Sequence, residues 1–496
     1  MMSRARGALV AATLAAAFAS SLPVAVTIDA AALELSLPPN YLGFTLDWWP
    51  PRQEDFGTST VNMIAFDNPR LAGLARALGP ATLRVGGSLD NVVKYLVGGM
   101  PRAECEAPVP FRGQVFPNLC LNLTRAAALL SFVDRALAPG SSLVFGLQLN
   151  LGPAGWNATN VLDFIAALAQ LPGARVLEAV EVGEETNPAP NTTDFAALAA
   201  AYAGVRAAVR ARAWPRGAPP RVLGPCSGMN ENVAPFSWDR AFLASAGGAA
   251  LDAYVMHSYN NDGGDGWRVP GFLAQTAAQA SGVRGMLDAA APAAPLPLWC
   301  GECGPHNGGG LPNVTTRAIS SFWYTDALLA LPLLGVTRFN RQTLAGGSYG
   351  LLANDDFAPR PDYFAALAYA TLAGARVLRA RASPNVSAQL HVFARCAPGG
   401  AGGVTVAWVN VDAAASFALT MNGIAAAGSK TVYSFAPRGG DALADTLLLN
   451  GVPLVVAGNA PPPLVGADSD AGDPVAVPPA SFGYAVFPSA GAAACA

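Results

Sequence analysis

From Tyr41 to about Gly374, short apolar runs rich in β-forming residues alternate with longer Ala-rich stretches, a rhythm that predicts strand, helix and parallel strand in succession. Strand-like runs occupy residues 42–46, 82–86, 143–150, 177–183, 221–224, 253–257, 296–301 and 335–340. The stretches between them, such as 194–212 and 315–334, are long enough for helices, so the expected architecture is a (β/α)8 TIM barrel of the α/β class. After Leu378 the pattern changes to alternation with a period of two, at 390–393, 404–411, 417–421, 430–435 and 484–487. That pattern predicts a smaller antiparallel β-sandwich. Residues 24–37 alternate in the same way ahead of the first barrel strand and are expected to join the sandwich. The predicted division is 22–40 for that N-terminal strand, 41–375 for the barrel and 376–496 for the sandwich. No long linker separates them, so a firm interface is expected.

The 496 residues exceed what one small core accommodates, in line with two domains. With 52% hydrophobic and 13% charged residues the chain could pass for a membrane protein, but only the N-terminus carries a candidate run. Arg4 and Arg6 precede an apolar stretch at 7–18 and small residues at 19–21, which predicts a signal peptide over 1–21. The run is shorter than the roughly 20 residues that cross a bilayer; a short membrane anchor is the other reading. Sequons at Asn122, Asn157, Asn191, Asn313 and Asn385 and seven cysteines fit a secretory route. The expected location is extracellular or a lysosome- or vacuole-like compartment, with membrane association as a variant. An odd cysteine count leaves at least one thiol over. His257, His306 and His391 are scattered and no CxxC pair of pairs occurs, so no metal and no cofactor is predicted. A net charge of −3 argues against a nucleic-acid partner or a densely sulfated polymer. Arg206, Arg210, Arg212, Arg216 and Arg221 crowd one stretch that reads best as a solvated helix end. A monomer is expected.

In such a barrel the chemistry sits at the C-terminal ends of the strands. Those ends carry Asp47 and Trp48, Gly87 and Ser88, Glu184 and Glu185, His257 and Tyr259, Glu302, and finally Asn340, Arg341 and Gln342. Retaining cleavage of a glycosidic bond needs a carboxylic acid and a nucleophilic carboxylate about 5 Å apart. Glu185 and Glu302 form the natural pair, because their strands lie on opposite sides of the barrel mouth. A strand-end glutamate can also merely cap a helix or hold an arginine. Glu184 and Glu185, as neighbours on a strand, should point apart. Two nearby carboxylates would still raise one pKa, which suits a general acid.

The ordered blocks Thr45-Leu-Asp-Trp-Trp-Pro50, Leu83-Arg-Val-Gly-Gly-Ser88, Val144-Phe-Gly-Leu147, Glu181-Val-Gly-Glu-Glu185, Trp299-Cys-Gly-Glu302, Arg341-Gln-Thr-Leu344, Ser348-Tyr-Gly-Leu351 and Pro361-Asp-Tyr363 resemble the heparanase family, glycoside hydrolase family 79, and especially its plant heparanase-like members. The resemblance runs from Val24 to Cys495. It implies the same barrel and sandwich, Glu185 as general acid/base and Glu302 as nucleophile. It further implies a retaining β-glucuronidase acting on a glycan or glycoside that contains glucuronic acid. Gly308, Gly309, Gly347 and Tyr349 match positions that receive the sugar carboxylate through neutral groups. Asp47 and Ser88 match positions that touch sugar hydroxyls, and Tyr259 is placed to orient the nucleophile. The resemblance pairs Cys396 with Cys495. Cys105 and Cys120 are expected to close the loop after the second strand, and Cys226, Cys300 and Cys303 stay unassigned. That loop is short, so a single-chain enzyme is expected. Two residues depart from the pattern: Glu184 stands where the wider clan has the asparagine that binds the 2-hydroxyl, and Thr186 replaces a proline or apolar residue. A carboxylate at 184 accepts but cannot donate. The departure keeps two alternatives open, a catalytically impaired carbohydrate-binding protein and a related exo-glycosidase with another sugar preference.

Overall fold

The computed structural model describes residues 21–49, 58–150, 156, 158–187, 194–229, 236–260, 271–291, 294–386, 388–425 and 427–496. Residues 1–20 of the leader expected over 1–21, and the sequons at Asn157 and Asn191, lie outside the described residues; Asn122, Asn313 and Asn385 are exposed.

A first strand, β1 (Leu22–Ser36), precedes eight parallel strands that close into a barrel in sequence order. These are β2 (Leu42–Asp47), β3 (Thr82–Gly86), β4 (Ser142–Leu147), β5 (Leu177–Val182), β6 (Arg221–Gly228), β7 (Ala253–Tyr259), β8 (Leu298–Gly304) and β9 (Val336–Arg341). Closure is made by β9 against β2, with Phe339 opposite Leu42. β2, β3, β4, β5 and β8 are buried along their whole length, as strands covered on both faces must be, so they read as continuous apolar runs.

Each barrel strand is followed by a helix: α1 (Pro69–Ala77), α2 (Leu123–Ser131), α3 (Ala158–Leu168), α4 (Phe195–Arg210), α5 (Ser237–Ala244), α6 (Ala274–Ala290), α7 (Ala318–Ala330) and α8 (Pro361–Leu372). Local chemistry starts several of them. Asn68 accepts from the N–H groups of Arg70 and Leu71 with Pro69 in the first turn, and Asp194 caps α4 through Ala196 and Ala197. In the arginine stretch on and after α4, Arg206 and Arg210 pair with Asp252, the residue before β7.

Inside the barrel, Val144, Ala179, Leu223, Val255 and Trp299 form an apolar plug. The Arg338 guanidinium lies 5.0 Å from the Trp299 ring centroid and bonds Glu178 at 2.7 Å, closing the lower end. Polar side chains on the inner face above the plug therefore sit on a packed floor, out of reach of bulk water.

The C-terminal part supplies β10 (Arg376–Ser383), β11 (Leu390–Cys396), β12 (Val404–Asn410), β13 (Phe417–Asn422), β14 (Ser429–Pro437), β15 (Leu447–Leu449), β16 (Val452–Pro453), β17 (Ala467–Asp470), β18 (Val475–Val477) and β19 (Ser481–Phe487). With β1 they form one sheet of 11 strands in the order β16-β15-β14-β19-β12-β11-β10-β1-β13-β18, with β17 on β14. The sheet is antiparallel except where β1 runs parallel to β13. At the end of β13, a Cβ on Gly423 would stand 2.1 Å from the Ile28 carbonyl oxygen, so only glycine lets the strands close. The sheet docks on α7: Phe322 meets Phe482 edge to face at 5.6 Å, and the Ala318 and Ile319 N–H groups bond the Ala444 and Ala442 carbonyls.

Disulfides join Cys105 to Cys120 and Cys396 to Cys495. Cys300 and Cys303, unassigned above, pair with each other, and Cys226 is free and buried. The Cys396–Cys495 bond closes a segment of 99 residues. Changing both cysteines to serine is expected to cost about 2–5 kcal/mol of stability. A melting temperature within 1–2 °C of wild type, followed by circular dichroism, would contradict that.

Candidate active site

In the middle of β3 the chain places Arg84 pointing inward, fully buried, with no room to spare: a Cβ on Gly86 would lie 2.5 Å from its Cζ. Its three nitrogens reach three carboxylates from two other strands and the turn after β5. Nε donates to Glu181 Oε2 at 2.6 Å, Nη1 to Glu302 Oε2 at 2.8 Å and Nη2 to Glu184 Oε2 at 2.6 Å. Nη2 also faces His257 Nε2 at 3.3 Å. Against a guanidinium that ring nitrogen can only accept, so the ring proton sits on Nδ1. Nδ1 is aimed at Glu185 Oε1 at 3.2 Å and Glu184 Oε1 at 3.4 Å.

β5 stops at Val182, and the next residues form a turn with φ +72° at Gly183 and +43° at Glu185. The left-handed conformation is costly for a glutamate, and the surroundings hold it there. Asn91 accepts from the Glu184 N–H and donates to the Glu184 carbonyl, the Cys226 carbonyl receives the Glu185 N–H, and Asn187 exchanges two bonds with Gly228. This corrects the expectation that Glu184 and Glu185 point apart. They do so only on a regular strand; the turn brings both carboxyls to one face of His257.

Glu302 also differs from its expected place just beyond a strand. β8 continues to Gly304 and bulges between Cys300 and Cys303, where its register against both neighbours shifts. The bulge turns Glu302 inward, where the Tyr259 hydroxyl donates to Oε1. One ring nitrogen of His257 and one carboxyl oxygen each of Glu184, Glu185 and Glu302 crowd a single spot, within 4.8 Å of one another. An oxygen of Glu185 thus lies within 4.8 Å of one of Glu302. The Glu302 side chain is 9% exposed and that of Glu185 25%. Glu184, Cys226 and His257 make a second such group. The cation that these acids surround is already present as the Arg84 guanidinium, which a metal ion would have to displace.

Burial opposes ionisation of Glu302, yet Arg84 and hydrogen bonds from Tyr259 and Glu184 hold the carboxyl below its ordinary value. Glu184 goes the other way. Burial, and then the charges of Glu302, Glu185 and Glu181, push it well above the carboxylate range against the pull of Arg84. The raised carboxyl is thus on Glu184.

Asp47, at the end of β2, accepts from the Trp48 and Trp49 N–H groups at 2.6 and 3.2 Å and from Gln342 Nε2 at 2.9 Å. Burial and the nearby Glu302 raise it to about 7 in spite of those bonds. Gln342 Nε2 also lies 3.1 Å from the Tyr349 hydroxyl, and its Oε1 accepts from Thr45. Asp47 and Tyr349 are therefore coupled through a residue to which the sequence assigned no role. Gly87 has a φ of +109° and its missing Cβ leaves space for the Asp47 carboxylate, 2.4 Å from where that atom would be. Ser88 follows half-buried. The two glycine loops touch, with the Ser348 N–H on the Gly309 carbonyl at 2.6 Å and Gly347 against the same oxygen; Gly308 is exposed.

Arg84, Glu181, Asn91, His257 and Gln342 were named in the sequence only as members of blocks or strand ends, or not at all. The one available signal was parity: Arg84 and Gly86, like Glu181 and Gly183, share the inward face of their strands.

Residues 23–329 match the family described as glycosyl hydrolase family 79, N-terminal domain. Heparanase-like protein 1 of Arabidopsis thaliana is 29% identical over 82% of this chain and 76% of its own length. Baicalin-beta-D-glucuronidase of Scutellaria baicalensis is 23% identical over 83% of this chain and 82% of its own. Among solved structures, the GH51 arabinofuranosidase of Xanthomonas axonopodis pv. citri superimposes with a TM-score of 0.66 at 14% identity, covering 94% of this chain and all of its own, a likeness of fold. Among the described residues no helix is long and apolar enough to cross a membrane.

Proposed function

Because the chain belongs to glycosyl hydrolase family 79 and is a glycoside hydrolase, we propose that it is a retaining β-glucuronidase working by double displacement, with Glu302 as nucleophile and Glu185 as general acid/base. The observation that carries the reading is the approach of the two carboxyl groups, an oxygen of one within 4.8 Å of an oxygen of the other. Retaining enzymes hold theirs about 5 Å apart, whereas inverting ones leave roughly 6.5–9.5 Å for a water.

The environments divide the labour. Glu302 is kept ionised and aimed by Arg84 and Tyr259, so a lone pair can attack the anomeric carbon while the glycosidic C–O bond breaks. Glu185 is the more exposed of the pair and receives the His257 Nδ1–H. It gives its proton to the leaving oxygen and afterwards takes one from the water that cleaves the glycosyl ester, restoring Glu302 as a carboxylate. The Gly309 and Gly347 loops and the Tyr349 phenol receive the glucuronate carboxylate through neutral donors, which suits a site already crowded with acids. Asp47 and Ser88 hold hydroxyls of the same sugar. The baicalin-beta-D-glucuronidase relative supports the choice of sugar. The route through a secretory compartment remains part of this proposal.

Incubation with an aryl β-glucuronide, followed by proton NMR, tests the reading. The first sugar formed should be the β anomer. First appearance of the α anomer would exclude retention, and release from an aryl arabinofuranoside in preference to the glucuronide would overturn the sugar assignment. Binding of glucuronic acid by calorimetry without turnover at any pH would make the chain a carbohydrate-binding protein.

A further inference from the structure

We propose that Glu184 is a positioning residue that works as a neutral carboxylic acid, donating its proton in a hydrogen bond to Glu302, so that loss of this proton shuts the site on the alkaline side. The inference rests on the retaining reading above, for it concerns the nucleophile of that reaction.

The geometry leaves one proton to be placed. Arg84 is a single positive charge that donates at once to Glu181, Glu184 and Glu302, whose side chains are 1%, 1% and 9% exposed. Glu185 adds a fourth carboxyl within 4.8 Å of Glu184. The groups facing Glu184 are Arg84 from β3, Glu181 from β5, Glu185 on its own turn, Cys226 from β6, His257 from β7 and Glu302 from β8. With His257 accepting from Arg84, one guanidinium stands against four carboxyls, and like charges this close in a water-poor layer cannot all ionise.

Glu184 is the member best placed to keep the proton. Glu302 already takes the Arg84 Nη1–H and the Tyr259 hydroxyl, both of which favour its ionised form. Glu184 Oε2 takes one donor from Arg84, while its other oxygen stands 3.4 Å from His257 Nδ1, long for a hydrogen bond, and one carboxyl oxygen lies within 4.8 Å of an oxygen of Glu302. Burial and its acidic neighbours push Glu184 well above the ordinary carboxylate range. A protonated carboxyl has one donor and one acceptor face, the pair of functions an amide offers; an ionised one has only acceptors. Ionised Glu184 would also set a second negative charge beside Glu302 and repel an anionic sugar.

The test compares kcat/KM on p-nitrophenyl β-glucuronide across pH for wild type and Glu184→Gln, the uncharged isostere. Wild-type activity should fall about tenfold per pH unit beyond its alkaline limb. The variant's limb should vanish or move up by at least one unit, so that at pH 8 it keeps at least tenfold more of its own optimum than wild type does. Coincident limbs, a variant dead at every pH, or removal of the limb by Asp47→Asn would overturn the proposal. Infrared difference spectra of wild type against Glu184→Gln at pH 5.5 should show a protonated carboxyl band belonging to residue 184. Absence of that band also overturns the proposal, even if no variant hydrolyses the glucuronide, an outcome that would sink the glucuronidase reading separately. If the glutamine variant fails to fold, Glu184→Asn takes its place in both measurements.

Discussion

Glu302→Gln is expected to lower kcat/KM on an aryl β-glucuronide by on the order of 10⁴-fold or more, with little change in fold. The amide keeps the size of the carboxylate, and its one oxygen can still accept from Arg84 while its NH2 donates to the Tyr259 hydroxyl oxygen, but it has no lone pair basic enough to form the glycosyl ester. Glu185→Gln should cost about 10²- to 10⁴-fold, the range of a general acid or base. That loss should shrink for aryl groups that leave without protonation and grow for poor leaving groups. The leaving-group dependence separates the two roles: residual activity of the Glu302 variant should not depend on the aglycone in this way. Hydrolysis by both variants at the wild-type rate would refute the assignment outright.

Arg84→Met carries the largest expected effect on stability. It is a volume-matched change that removes one guanidinium and leaves Glu181, Glu184 and Glu302 buried without their shared cation. Breaking a buried ion pair from one side costs about 3–5 kcal/mol. The sign of the pH dependence follows from linkage. A carboxyl whose folded-state pKa is raised, as that of Glu184 is, contributes stability below its unfolded value and loses it as pH rises through the folded value. Without Arg84 more of the cluster behaves this way, so the loss should be larger at pH 8 than at pH 5. Urea unfolding at the two pH values checks it; equal losses, or a loss below about 1 kcal/mol, would show that the cluster relaxes to water.

Much of this was legible in the sequence because barrel strands buried on both faces leave continuous apolar runs, and a polar residue that ends such a run stands out. Asp47, Glu185 and Tyr259 were found that way. Arg84 was not, since a charge in mid-strand makes sense only beside partners that arrive 97 and 218 residues later. The joint placement of Glu184 and Glu185 depends on a turn that Asn91 and the Cys226 carbonyl hold in place, and neither lies near them in sequence. The Cys300–Cys303 pairing was hidden for a geometric reason. Three residues along a regular strand span about 10 Å, beyond a disulfide's reach, whereas the bulge brings the two Cα atoms to 6.1 Å.

The position of β1 has a consequence for synthesis on the ribosome. Its neighbours β10 and β13 begin at Arg376 and Phe417, so Ser36 and Arg376 are separated by roughly 340 residues. At translation rates of about 5–20 residues per second, this 15-residue strand spends on the order of 20–70 s without a partner while the barrel is completed. Throughout that interval its edges are open to mispairing with other nascent chains, so the yield of correctly folded protein should depend on chaperones that cover the strand until the last quarter of the polypeptide emerges.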